Sequence, residues 1–332
     1  MGYLLKNRVG LWLGLAVFIA GLCLACGASL TAQAGGLVVD IGQMRSQLET
    51  IATERYSDLA LARTRAYLIQ QLETYGYEPV SQPFGTGDSA GVNISVVRVG
   101  RQDPGHKILV GAHYDSVAGS PGADDNASGV VAALEIARLF ANYPTDKTLQ
   151  VVFFDQEEFQ PSSGTGLLGS NAFVNEATNL EGLESAVILE MLGYACYEPG
   201  CQSYPPGLEQ QDFPSRGDFI GVVGNAEHPD LLAAFDSSAV QPDDGSADQS
   251  RLEVVTLSVP VEALSLMPDL FRSDHVPFWL QGVGAVMVSD TANFRNPHYH
   301  QASDTAETLD WDFLEQTTAY VVGRVEGLLR GG

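Results

Sequence analysis

The run ILVGAHYDSVAGSPGADDNASGVVAALEIARLF, residues 108–140, decides the fold. It opens on ILVGA, an unbroken apolar stretch that predicts a buried strand. The stretch ends at His113, Tyr114 and Asp115, where a strand leaves its sheet and polar side chains become available. A Gly/Ser/Pro-rich loop then leads to Asp124, Asp125 and Asn126, immediately before a helical pattern. Val130, Leu134, Ala137 and Phe140 recur at helical intervals and predict one face packed onto a sheet. A histidine at a strand end and a carboxylate one loop later suit a cation at the carboxyl edge of an α/β sheet.

Outward from this stretch the pattern repeats. Residues 40–75 read as helix, with Gly76 placed to stop it. Residues 77–84 and 92–99 alternate as strands around a glycine-rich turn. That turn contains Gly-Asp-Ser89-Ala-Gly, a nucleophile-elbow pattern, but a strand follows where the elbow requires a helix, so a hairpin is the better reading. The run TLQVVFF, residues 148–154, is another buried strand and ends in Asp-Gln-Glu157-Glu158. SAVILEML, residues 185–192, carries Glu190 near its end. Further strands are expected at 219–223 and 254–257, a helix-then-strand unit over 274–289, and a closing amphipathic helix from Trp311. Strands alternating with helices predict an α/β fold, a three-layer αβα sandwich with a mostly parallel mixed sheet.

With 41 acidic against 17 basic residues the formal net charge is −24, a field that repels nucleic acid and anionic membrane. The N-terminus differs. Lys6 and Arg8 precede an apolar run from Val9, and Ala32-Gln33-Ala34 fits a small-x-small cleavage site, so residues 1–34 read as a secretory signal peptide. Retention as a membrane anchor, or lipid attachment at Cys26, stays open, although Cys23 stands where a lipidation site usually has an aliphatic residue. Each alternative places the protein outside the cytoplasm: secreted, periplasmic or anchored facing outward. Residues 35–332 then form a single domain. Outside the leader only Cys196 and Cys201 remain, and in an oxidising compartment they are expected to form a disulfide.

The polar residues at strand ends are His113, Asp125, Glu157, Glu158 and Glu190, with His298 and His300 later in the chain. Buried carboxylates are costly unless paired or metal-bound, and basic residues are few. Nitrogen and oxygen donors without thiolate suit zinc, with manganese or cobalt as replacements. Two ions would need a shared carboxylate. Asp124 reads as a cap for the following helix. The acidic loop 243–248 lacks the spacing of an EF-hand and reads as solvated rather than calcium-binding.

AHYDS, GADDNASG, EE followed by GLLGS, LEM, SDH, and PHYHQASDT, in that order over residues 109–305, resemble the M28 family of co-catalytic zinc peptidases. That family includes secreted aminopeptidases and, more distantly, glutamate carboxypeptidases and glutaminyl cyclases. The resemblance implies a zinc-dependent exopeptidase fold and two zinc ions. It implies that His113 and Glu190 bind one, that Glu158 and His300 bind the other, and that Asp125 bridges them. Glu157 would take a proton from metal-bound water and pass it to the leaving amine, Tyr299 would stabilise the oxyanion, and Asp115 would orient His113. By extension we expect Asp304 to orient His300. Glu190 departs from the aspartate common at its position, and an insertion between Glu158 and Gly166 lengthens a loop beside the site. The expected function is an exported di-zinc aminopeptidase acting on peptides or small amino-acyl substrates. A single-zinc glutaminyl-cyclase-like transferase and an inactive binding ectodomain are the alternatives.

Overall fold

The computed structural model describes residues 36–87, 90–161, 163–208, 213–236 and 252–330. Residues 1–34, Ser89 and the loop 243–248, on which the leader, elbow and calcium readings rest, lie outside them. Residues from Leu37 onward form one unit.

The unbroken apolar runs become strands because both of their faces are covered. Along β3 (Asp103–His113), Ile108, Val110 and Ala112 enter one core while Leu109 enters another. The same alternation divides β4 (Lys147–Phe154), with Leu149, Val151 and Phe153 on one side and Val152 and Phe154 on the other. It also divides β5 (Leu183–Glu190). A sheet buried on two sides selects continuous apolar sequence instead of alternation. Gly111 of β3 is bare for a steric reason, since a Cβ there would lie 2.6 Å from the Phe154 ring.

The remaining strands are β1 (Val80–Phe84), β2 (Gly91–Arg98), β6 (Phe219–Asn225), β7 (Glu253–Val259) and β8 (Gly284–Ser289). All eight form one sheet in the order β1-β2-β4-β3-β5-β8-β6-β7. The central strands β4, β3, β5 and β8 are parallel. The hairpin β1-β2 joins one side antiparallel, and β6 runs antiparallel to β8 with β7 parallel to β6 at the other edge.

Helices cover both faces. On one lie α1 (Ile41–Ile51), α2 (Asp58–Thr74), α3 (Gly129–Phe140) and α8 (Trp311–Leu329), together with the short α6 (Pro229–Ala233). On the other lie α4 (Leu168–Val174) and α7 (His275–Leu280), while α5 (Ala177–Leu180) follows α4 as a single turn whose Leu180 packs against this core. The three-layer mixed α/β sandwich expected from the sequence is the fold found. The disulfide Cys196–Cys201 is formed. No helix among the described residues is long and apolar enough to cross a membrane.

One expected helix is two. Residues 40–75 break between α1 and α2, where the chain dips to bury Arg55 completely. Ser57 restarts the helix as its N-cap, accepting from the Ala60 amide. Gly76 ends α2 with a φ of 89°, a left-handed conformation that glycine adopts without steric cost.

His275, on α7, is fully buried with Nε2 3.0 Å from the Leu270 carbonyl, and burial lowers its pKa from 6.5 to about 4. A base depressed in the folded state contributes stability that is complete above pH 6.5 and is lost as pH falls towards 4. The loss is roughly 3 kcal/mol by linkage. His275→Gln keeps a donor for Leu270 but does not titrate. Between pH 7 and 4 it should therefore lose less stability in urea than the parent protein by about that amount, and equal pH slopes would contradict the assignment.

Candidate metal centre

The carboxyl ends of the central strands deliver the polar residues to one place. His113 is the last residue of β3, Glu190 the last of β5, and Glu157 and Glu158 lie three and four residues beyond the end of β4. Asp125 sits in the turn Ala123–Ser128 that leads into α3. His300 comes from the loop after β8. His113 Nε2 lies 3.4 Å from Asp125 Oδ1 and 3.4 Å from Glu190 Oε1. His300 Nε2 lies 3.2 Å from Asp125 Oδ2 and 3.2 Å from Glu158 Oε2. Two donor groups thus share Asp125, one through each carboxylate oxygen.

These spacings fit ions. Nitrogen or oxygen donors about 2.0–2.1 Å from a tetrahedral zinc stand about 3.3 Å from one another, the separation seen in both groups. Glu158 Oε1 is buried and has no hydrogen-bond partner, as expected of a carboxylate whose natural counterpart is a cation.

The electrostatics point the same way. Burial, reinforced by Asp125, pushes the Glu158 carboxyl up to about 7. Burial also drives Glu157 well above the carboxylate range; His113 opposes the shift, and Glu190, Glu158 and Asp274 add to it. Against a burial penalty of opposite sign, His113 and His300 hold Asp125 below its ordinary value. Burial opposes charge on His113, yet Glu190 and Glu157 raise its pKa well above that of a free imidazole. Burial opposes charge on His300 too, but Asp125 and Glu158 push it up to about 10.

The surrounding backbone is held by side chains. Asp115 Oδ1 lies 3.3 Å from His113 Nδ1, and its two oxygens accept from the amides of Glu157 and Glu158, each at 3.1 Å. One carboxylate therefore positions residues from both donor groups. Asp304 corrects an expectation. Its oxygens accept from the amides of Asp124 at 2.9 Å and Asp125 at 3.1 Å, so it fixes the shared carboxylate's backbone and not the His300 ring. Asp124 is not a helix cap either, because its carboxylate accepts from Gly193 N at 2.9 Å and Asn296 Nδ2 at 2.6 Å. Gln156, Met191 and His300, at or beside the donors, have φ of 54°, 51° and 58°. Such left-handed backbone is costly for non-glycine residues and persists only where surrounding bonds impose it. For Met191 these are its amide to Asn126 Oδ1 and the Asp290 amide to its carbonyl.

Four further residues were not singled out from sequence. Arg55 donates to the carbonyls of Ile51, Thr53, Tyr114, Pro121 and Gly122, lying beneath the loop that carries Asp115 and Asp125. Ser273 Oγ donates to Glu190 Oε2 at 2.5 Å. Asp274 is fully buried, and burial pushes its carboxyl up to about 7. Arg272 donates to the Tyr299 hydroxyl at 2.8 Å. The Ser-Asp-His run was the available signal for Arg272, Ser273 and Asp274. Arg55 had none. His298 faces Ser303 at 2.9 Å and stands outside both donor groups.

Tyr299 stacks on the His300 ring, with centroids 3.7 Å apart. Both line a cavity of about 420 Å³ that also reaches Asp125, Glu157, Glu158 and Glu190.

The sequence profile described as Peptidase family M28 matches residues 93–216 and 232–324. The Escherichia coli (strain K12) protein named Uncharacterized protein YfbL is 33% identical over 226 residues, 66% of this chain and 66% of its own length. Aminopeptidase YwaD of Bacillus subtilis (strain 168) is 29% identical over 229 residues, 66% of this chain but 40% of its own length. The chain thus spans just under two thirds of one relative and well under half of the other. Among solved structures, an aminopeptidase from Aneurinibacillus sp. strain AM-1 superposes with a TM-score of 0.62 at 16% identity, over 89% of this chain and 95% of that one. The glutaminyl cyclase of Porphyromonas gingivalis also gives 0.62, at 18% identity, over 88% and 99%. At these identities the structural matches show the fold.

Removing the buried guanidinium strands several carbonyls, each at a cost of about 1–3 kcal/mol. Arg55→Met should lower stability in urea by at least about 3 kcal/mol, and a loss below about 1 kcal/mol would show that the loop does not depend on it.

Proposed function

This chain belongs to peptidase family M28, and from that membership together with its paired donor groups we propose that it is an exported di-zinc aminopeptidase. The observation that carries the proposal is Asp125, whose two oxygens face two separate histidine–glutamate pairs beside one cavity. The geometry supports the following site roles. His113 and Glu190 would hold one ion and Glu158 and His300 the other, with Asp125 shared between them. Zinc suits this donor set, and manganese or cobalt could replace it. Bound there, the ions would supply Lewis acidity towards a water and the scissile carbonyl.

The chain's own groups do the rest. Glu157 lines the cavity beside both donor groups. It accepts a proton from the attacking water and delivers it to the leaving amine, ending the cycle ionised as it began. The Tyr299 hydroxyl accepts from Arg272, which leaves its own proton free for the developing oxyanion. Burial raises the Tyr299 pKa, so that proton is retained at neutral pH. Asp115 and Asp304 position the donors by holding their rings and amides.

Charge supports the aminopeptidase direction. Carboxylates line the inner end of the cavity. Arg272 is the one Lys or Arg among the described lining residues, and it is already engaged by Asp269 at 3.1 Å, Asn293 at 3.0 Å and Tyr299. A substrate carboxylate finds no free counter-charge there. Export is supported by the basic-then-apolar leader and by the disulfide, which suits an oxidising compartment.

The purified protein loaded with zinc should release residues from peptides with free amino termini and leave N-acetylated peptides intact. Glu157→Gln should lower kcat by about 10²–10⁴-fold. Equal cleavage of blocked peptides, or undiminished turnover by Glu157→Gln, would overturn the proposal.

A further inference from the structure

Between β4 and α4 the chain leaves the sheet through residues 155–158, which carry Glu157 and Glu158, and returns through residues 166–169. The two sides form a narrow neck. Leu167 N donates to the Glu157 carbonyl at 2.7 Å and Leu168 N to the Gln156 carbonyl at 2.9 Å. Glycine is required on the returning side. A Cβ on Gly166 would lie 2.3 Å from the Glu157 carbonyl oxygen, and one on Gly169 would lie 2.4 Å from that of Asp155. The insertion after Glu158 lies beyond the neck, where Gln160 and Thr165 form an antiparallel bridge.

The neck is clamped from the hairpin β1-β2 and from α2. Buried Asn93 touches both of its sides, since Oδ1 accepts from the Asp155 amide at 3.1 Å and Nδ2 donates to the Gly169 carbonyl at 2.8 Å. Gln156 Nε2 donates to the Ala90 carbonyl at 2.9 Å. Asp155 is fully buried, and its Oδ2 accepts from the Val92 amide at 2.9 Å and from Arg65 Nη1, on α2, at 2.9 Å. Arg65 Nη1 also donates to the Tyr114 hydroxyl at 3.2 Å, which in turn donates to the Val92 carbonyl at 2.8 Å. Burial, reinforced by Asp115, pushes the Asp155 carboxyl up to about 6, and Tyr114, the Val92 amide and Arg65 oppose that shift. Neither Asp155 nor Arg65 is among the described residues that line the cavity.

We propose that Asp155 and Arg65 are positioning residues for Glu157: their ion pair fastens the neck to the hairpin and to α2, and the neck keeps the Glu157 carboxylate beside the donor groups. The inference rests on the aminopeptidase reading, in which Glu157 moves the proton, and adds what places that group. Asp115 holds the turn by the amides of Glu157 and Glu158, and Asp155 holds its start. Between them Gln156 keeps a φ of 54°, a conformation costly for a non-glycine residue and sustained only by its surroundings. Without the guanidinium, Asp155 is a buried charge with no compensation, and it yields its tether by taking up a proton. Glu158 would be held by its ion as well as by the backbone, whereas Glu157 has the backbone alone. Loosening the turn therefore displaces the base before it releases metal. Proton transfer requires heavy atoms about 3 Å apart, and a misplacement of about 1 Å costs about 10²-fold in rate.

The test has two arms. In the first, kcat and KM of the zinc-loaded parent, Asp155→Asn, Arg65→Met, Arg65→Lys and the double variant Asp155→Asn/Arg65→Met are measured on a peptide with a free amino terminus. Asp155→Asn and Arg65→Met should each lower kcat at least tenfold, with KM within threefold and zinc content per chain unchanged. Arg65→Lys, which keeps the charge, should hold kcat within threefold of the parent. The double variant should fall no further than the worse single one, because each residue acts through the other. Arg65 is partly exposed on α2, so its variants remain informative if Asp155→Asn does not fold. In the second arm, hydrogen exchange in Arg65→Met should quicken at least tenfold at the amides of residues 155–158 while those of α3 keep their protection. Hydrolysis by the parent with kcat unmoved in the single variants, with a loss that accompanies zinc release or that Arg65→Lys shares, or with local exchange unchanged, overturns the positioning role and leaves the aminopeptidase reading intact. No hydrolysis by the parent combined with the expected local exchange overturns that reading and upholds the hold of the pair on the turn. Neither hydrolysis nor a local change in exchange overturns both.

Discussion

Three carboxylates and two imidazoles meet at the carboxyl edge of the sheet with their donor atoms too far apart for short hydrogen bonds and at the right distance to surround ions. His113 and His300 stand 3.2–3.4 Å from the oxygens of Asp125, Glu158 and Glu190, and one oxygen of Glu158 has no partner. So much negative charge in a buried space is costly unless a cation compensates it or protons neutralise it. Much of the surrounding architecture serves this arrangement. It explains why a fully buried arginine lies under the loop between His113 and Asp125, and why Asp115 and Asp304 spend their oxygens on backbone amides. It also explains the left-handed residues at the ends of β4 and β5, which turn adjacent side chains into one point.

The sheet supplies both the site and the space beside it. Its central parallel strands end together and bring His113, Glu157, Glu158 and Glu190 to a common edge. Reversal at β8–β6 then continues the same face as an apolar floor. The donor groups and this apolar floor are thus two parts of one surface, the first built from strand ends and the second from strand interiors. The division matches what each requires: strand ends free polar groups from the ladder, while strand interiors present fixed rows of side chains.

Much of this was legible in the sequence because burial on two faces leaves a mark. The runs ILVGA, TLQVVFF and SAVILEML read as strands, and each delivered a polar residue at its end. The disulfide followed from two cysteines in a chain with an export-type leader. Interactions spanning long separations through the backbone were not legible. Arg55 breaks a helical pattern to reach carbonyls some sixty residues away, and periodicity carries no sign of that. By extension from Asp115 the sequence pairs Asp304 with His300, whereas it binds amides about 180 residues earlier. A carboxylate that binds main chain selects no particular partner residue, so no pattern reveals it. The row joining Ser289 to Gly221 was hidden for a related reason, since the two become neighbours only through antiparallel register.

Metal stoichiometry tests the central claim most directly, because the shared Asp125 has a purpose only if two ions lie on either side of it. Elemental analysis of the purified protein after equilibration with zinc and removal of free metal should give two zinc ions per chain, and Asp125→Asn should lose at least one of them. One ion in the parent protein, as a single-zinc transferase would hold, or two ions retained unchanged in Asp125→Asn, would contradict the account.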